Sequence, residues 1–180
     1  MIYAIVALAL LAVILVGLYN RLAKQKVVVE EASADIETFL KQRYDMIPNL
    51  VEIVKGYVKH EQETFKQITE MRAKAMSAGS LSEKMELEDQ LSKAVSKIIA
   101  VAENYPELKA DTNFLSLQSN LKDLEDNIQK SRRFYNGAAR DFNSLIAVFP
   151  NNILAGMFGF KRLPFFEASE EEKKNVDIKF

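Results

Sequence analysis

The apolar residues of this chain follow three different patterns. From Ile2 to Tyr19 no side chain is charged, and eleven of these eighteen residues are Leu, Ile or Val. At 1.5 Å per residue, a helix of that length spans roughly the hydrocarbon core of a bilayer. Each such residue near the bilayer centre favours insertion by about 0.3 to 0.6 kcal/mol, and no charge opposes them. A cleaved leader would open on positive charge and end its apolar stretch in an Ala-x-Ala-like exit, and this stretch has neither that start nor that end. The stretch ends in Gly17-Leu18-Tyr19-Asn20-Arg21, an aromatic and then a cation, which suits a membrane-water boundary. Residues 1–20 are therefore expected to be a retained transmembrane anchor, with residues 2–19 in the lipid bilayer.

Beyond the anchor the period becomes 3.5 residues. Leu40, Tyr44, Ile47, Val51, Val54, Val58, Glu61, Phe65, Ile68, Arg72 and Ala75 alternate at spacings of four and three, and only Glu61 and Arg72 break the apolar character. The register passes through Pro48, where a lost hydrogen bond and a steric clash predict a kink or short break. Asp45 is the expected cap of a restarted helix there, with Pro48 in its first turn. A second seam runs from Phe114 through Leu117, Leu121, Leu124, Ile128, Ser131, Tyr135, Ala138, Phe142 and Leu145 to Phe149. Between the seams, residues 82–103 carry Leu87, Leu91, Ala94, Val95, Ile98 and Ala102 on one face. Ser77-Ala78-Gly79-Ser80 and Asn104-Tyr105-Pro106 bound that helix. Sustained heptads specify helices crossing at about 20°. The expected fold is all-α: one transmembrane helix, then an elongated antiparallel helical bundle over residues 21–149. Either seam would serve equally well to pack against another chain.

The third pattern is dense and irregular. Ile146 to Phe166 includes Phe149, Ile153, Leu154, Met157, Phe158, Phe160, Phe165 and Phe166, with only Lys161 and Arg162 charged. Pro150, Gly156, Gly159 and Pro164 divide it too finely for a spanning helix. Residues 150–166 are thus expected to dock on the bundle, on another protomer or on a membrane surface, where Lys161 and Arg162 would meet anionic headgroups. Residues 167–180 are charged, and disorder is expected there.

Charge adds direction. No Lys or Arg precedes the anchor, whereas Arg21, Lys24 and Lys26 follow it. In a bacterial inner membrane this asymmetry predicts the N-terminus outside and the bundle in the cytoplasm. The net charge of -1 gives no field favouring nucleic acid, and the absence of cysteine removes disulfides, thiolate metal sites and thiol nucleophiles.

Candidate chemistry is sparse. His60 is the single histidine, and Thr64 stands where a His-Glu-x-x-His zinc motif needs its second imidazole. Glu61 and Arg72 are too far apart to pair directly. Glu125, Arg132 and Arg133 are candidate partners in a structural polar network. Adjacent carboxylates such as Glu30-Glu31 and Glu88-Asp89 diverge on a helix and are expected to be solvated. Gly156-Met157-Phe158-Gly159-Phe160-Lys161 lacks the spacing of a phosphate-binding loop, and the basic cluster Lys130, Arg132, Arg133 lacks aromatic platforms for bases. No catalytic residue, metal site or cofactor is expected, so the chain is read as a non-enzyme.

Several strings carry a family resemblance: Arg43-Tyr44-Asp45-Met46-Ile47-Pro48-Asn49-Leu50-Val51, Val54 to Glu61, Ala102 to Ala110, Phe114-x-x-Leu117-Gln118 and Tyr135-Asn136. With Asn143, Ile146, Phe149-Pro150, Gly159-Phe160 and Phe166, they closely resemble the LemA family over roughly residues 19–166. Val27, Ser33 and Tyr44 depart from the usual asparagine, aromatic and histidine. The resemblance implies a single-pass bacterial membrane protein with an elongated helical bundle and no established enzymatic chemistry. Relatives take part in membrane organisation, including magnetosome formation, and others are encoded beside membrane proteases. A scaffold that forms homo-oligomers is the leading expectation. The alternatives are a regulatory adaptor for a membrane-protein partner such as a protease, or a ligand-binding module.

Overall fold

The anchor and the first seam form one helix. In the computed structural model, α1 runs unbroken over Ile2–Tyr57 and is followed by α2 (Gln62–Ser77), α3 (Leu81–Ala102), α4 (Pro106–Lys109), α5 (Thr112–Ala147) and α6 (Asn151–Phe158). The structure describes residues 1–58 and 61–166, and no strand occurs among them. His60 and the charged tail 167–180 lie outside the described residues.

The break expected at Pro48 is not there; the chain leaves the helix after Tyr57 instead. Pro48 has no N–H for the carbonyl of Tyr44, four residues earlier, which an uninterrupted helix would leave unpaired. Arg72 of α2 supplies the missing donor, its Nε lying 2.6 Å from that oxygen. Tyr44, Ile47, Leu50, Val51 and Val54 are all buried around the proline, so packing also supports the uninterrupted helix. Asp45 caps nothing and accepts an exposed i,i+4 contact from Lys41 at 2.6 Å.

The helices divide between two compact units: Met1–Ile36 with Lys130–Phe165, and Glu37–Gln129 with Phe166. In the Glu37–Gln129 unit, cross-helix pairs give the chain directions. Arg43 meets Glu125 and Tyr57 meets Asp111, so α1 and α5 run antiparallel. Glu37 pairs with Lys84 and Arg43 with Ser92, so α1 and α3 run parallel. Lys55 lies over the Phe65 ring and Arg72 reaches Tyr44, which makes α2 antiparallel to α1. The result is an up-down-up-down four-helix bundle. Every apolar seam position from Leu40 to Ala75, and from Phe114 to Ile128, is buried. Ser80 caps α3 by accepting the Glu83 amide at 3.2 Å, and Asp111 accepts the amides of Asn113 and Phe114 at the start of α5.

In the other unit, burial on α1 begins at Leu22 and continues through Val29, Ala32 and Ile36. Residues 2–17 are exposed throughout. The core helix of a soluble protein would bury this stretch; here it is long and apolar enough to cross a membrane and none of its residues is buried. From α5, Tyr135, Ala138, Ala139, Phe142 and Ile146 face inward. The seam ends before Phe149: α5 stops at Ala147, the chain turns through Val148-Phe149-Pro150, and Phe149 is left 79% exposed.

Candidate functional site

Two clusters of side chains stand out, one polar and one apolar. The polar one lies inside the four-helix bundle. Arg43, only 2% exposed, donates through Nη1 to Ser92 Oγ (2.7 Å) and Glu125 Oε2 (2.6 Å), and through Nη2 to one carboxylate oxygen of Glu88. Tyr44 donates its hydroxyl to the other oxygen of Glu88, which is completely buried. One arginine thus joins α1, α3 and α5. Burial, and then the hydrogen bond to Glu88 and its negative charge, raise the Tyr44 hydroxyl far above the ordinary phenol range. It remains a neutral donor and makes a poor nucleophile or base. A cleft of about 370 Å³ opens beside the cluster, lined in part by Arg43, Ser92, Gln118, Lys122 and Glu125. Of its charged lining residues, Arg43 and Glu125 bind each other. Among the described residues, no group of three or more His, Asp or Glu side chains could hold a metal ion.

The expected polar network is therefore rearranged. Glu61 accepts a hydrogen bond from Thr64 (2.9 Å), Arg72 is held by the Tyr44 carbonyl, and Glu125 pairs with Arg43. Arg132 is half-buried and Arg133 exposed, both on the part of α5 that belongs to the other unit. Glu88, expected to be solvated beside Asp89, is the most buried carboxylate described. The pattern contained a signal for it: Glu88 lies three residues before Leu91 and so extends the stripe Leu91, Val95, Ile98, Ala102 backwards. Arg43 likewise falls in a second stripe of α1, Ile36, Leu40, Arg43, Ile47, Leu50.

The apolar cluster is built on α6. Gly159, at a φ of 72°, ends that helix in the left-handed region that favours glycine, and the Phe160 amide bonds back to Ala155 O at 2.9 Å. The chain beyond it is clamped against α5. Buried Asn143 donates Nδ2 to Leu163 O (2.9 Å) and accepts Leu163 N–H at Oδ1 (2.8 Å), while the Tyr135 hydroxyl donates to Pro164 O at 3.2 Å. Asn151, Leu154 and Ala155 form the buried side of α6. Phe160 sits edge-on to Phe142 and beside Tyr19, both at 6.1 Å between ring centres. Phe158 is 4.8 Å from the Tyr19 ring. Ile153, Met157, Phe158 and Phe165 remain exposed with Phe149, whereas Leu154 and Phe166 are buried. Docking on its own unit thus accounts for one side of the segment and leaves the other open.

An apolar stretch of helix with no buried residue, ahead of a bundle whose buried charges bind one another, defines a membrane-anchored helical-bundle protein. The chain belongs to the LemA family, whose model matches residues 32–180. It is 28% identical over 176 residues to Protein LemA of Metamycoplasma hominis, covering 97% of this chain and 80% of that one. It is also similar to Magnetosome protein MamQ 2 of Paramagnetospirillum magneticum (23% identity, 92% and 72% coverage) and to Magnetosome protein MamQ of Magnetospirillum gryphiswaldense (24%, 91% and 70%). None of these names is that of an enzyme.

Proposed function

We propose that the protein is a non-enzymatic scaffold or protein-interaction module that organises a bacterial membrane. The observation that carries this reading is the mutual pairing of the buried polar groups: Arg43, Glu88, Tyr44, Ser92 and Glu125 bind one another, and the phenol among them is held neutral. What the domain then offers is surface, fixed to the bilayer by residues 2–19. Similarity to proteins named for the magnetosome, over more than nine-tenths of this chain, supports a role in membrane organisation. The cations Arg21, Lys24 and Lys26 favour a cytoplasmic bundle with the N-terminus outside.

A scaffold that works through its own copies forms large assemblies when the full-length protein is purified alone in mild detergent, and crosslinks to itself in membranes. A small species that grows only when a membrane protease or other membrane protein is added would favour the adaptor reading instead. A C-terminal reporter active only in the cytoplasm tests the orientation, and a silent fusion whose counterpart with a reporter active only outside is active would reverse it.

A further inference from the structure

We infer that the exposed face of α6 is buried in the lipid leaflet on the Tyr19 side of the bilayer, as a second and interfacial membrane contact beside the spanning helix. The ruler is the anchor itself. Tyr19 closes the uncharged stretch that begins at Ile2, and its ring lies 4.8 Å from Phe158. Below Tyr19, an apolar groove of about 260 Å³ is lined by Leu15, Val16 and Tyr19 from α1 and by Leu154, Met157 and Phe158 from α6. Val16 and Leu15 are three and four residues inside the boundary, about 5 Å at the helical rise. Side chains of α6 that line the same groove therefore reach about one helical turn below the aromatic boundary. That matches the 5 to 10 Å insertion of an interfacial helix.

Chemistry and rigidity agree with that depth. Met157 is 73% exposed, and Ile153, Phe158 and Phe149 are more than half exposed, a run of apolar surface that water would penalise and a leaflet would not. Lys161 and Arg162 follow directly and are exposed, which suits the headgroup layer above acyl chains. The Gly159 turn and the Asn143 clamp on Leu163 hold the segment in place, so little conformational freedom remains to be lost on insertion. The inference rests on residues 2–19 spanning the bilayer and is independent of whether the protein self-associates.

The absence of tryptophan makes the test direct. Full-length Phe158→Trp is reconstituted at one chain per nanodisc in phosphatidylcholine with phosphatidylglycerol brominated at shallow or deep acyl positions, with Tyr19→Trp as the depth marker and circular dichroism confirming the fold. The expected result is a blue-shifted emission at position 158, quenched by shallow bromines at least twofold and more strongly than by deep ones. Met157→Trp serves if Phe158→Trp does not fold. Quenching at Tyr19→Trp with none at 158 or 157 overturns the inference. So does a blue shift without quenching, which would mean that protein covers the face.

Discussion

The hydrogen bond from Arg72 to the Tyr44 carbonyl has a specific and measurable consequence. If Arg72 substitutes for the N–H that Pro48 lacks, its value depends on the proline. Replacing Arg72 by Met keeps an unbranched stem and deletes the donor, leaving a carbonyl in the packed middle of α1 without a partner. A hydrogen bond to a charged group contributes about 1.5–3 kcal/mol, so Arg72→Met should destabilise by about 2 kcal/mol. Pro48→Ala returns the amide at position 48, which can bond Tyr44 O within the helix, and removes the ring clash. In that background Arg72→Met should cost about 0.5 kcal/mol, which leaves a coupling energy near 1.5 kcal/mol, well above the roughly 0.3–0.5 kcal/mol scatter of independent sites.

The assay is urea unfolding of the four full-length variants in non-ionic micelles, followed by far-ultraviolet circular dichroism. With a slope of about 2 kcal/mol per molar urea, Arg72→Met should lower the midpoint by about 1 M in the native background and about a quarter of that in the Pro48→Ala background. Equal losses in the two backgrounds would refute the idea that the arginine replaces the missing amide.

Three further outcomes follow from the same contacts. Glu88→Leu alone removes the acceptor of Arg43 Nη2 and of the Tyr44 hydroxyl, while Arg43 Nη1 keeps Glu125 and Ser92, and should lower stability by about 3 kcal/mol; the triple change Arg43→Met, Tyr44→Phe, Glu88→Leu should recover most of it in thermal melts, since apolar replacement of a buried ion pair is often neutral. Asn143→Ala should speed amide exchange across residues 160–165 by about tenfold or more, read by mass spectrometry, while amides at the centre of α5 stay protected. Asp111 titrates below the usual carboxylate range because the Phe114 amide, then the Tyr57 hydroxyl and the Asn113 amide, bond its charged form. A depressed folded pKa contributes stability above the unfolded value, near 4, and loses it as pH falls through the folded value. Asp111→Asn should accordingly be less stable than the native chain at pH 7, by a gap that closes below about pH 4; a gap that persists at pH 2 contradicts the assignment.

The seams were legible because their spacing is local and redundant. Leu40 to Ala75 and Phe114 to Phe142 repeat the same signal many times, and burial follows it except at half-buried Glu61, Arg72 and Ser131. The anchor was legible for the same reason. What sequence could not supply were interactions between distant segments. Pro48 reads as a break because its remedy, Arg72, comes from another helix. Glu88 reads as solvated because a charged residue on a stripe edge is ordinarily exposed, and only the meeting of α1, α3 and α5 brings Arg43 to neutralise it. Phe149 continued the heptad numerically, but the helix carrying that heptad had ended two residues earlier. The docking of residues 150–166 was visible as excess apolarity, while the clamp that holds it uses only the backbone of Leu163 and leaves no trace in that residue's side chain.

The division into two units bears on how the protein is made. The unit containing the anchor joins Met1–Ile36 to Lys130–Phe165, so its halves are separated in sequence by the whole Glu37–Gln129 segment. A ribosome delivers the anchor first, then the contiguous Glu37–Gln129 bundle, and only later the residues that cover Leu22, Val29 and Ala32. At about 5–20 residues per second, the apolar face of α1 just beyond the bilayer stays uncovered for on the order of 10 s. During that interval a newly inserted chain is exposed to proteases and to neighbouring nascent copies, a vulnerability that ends only when α5 is complete.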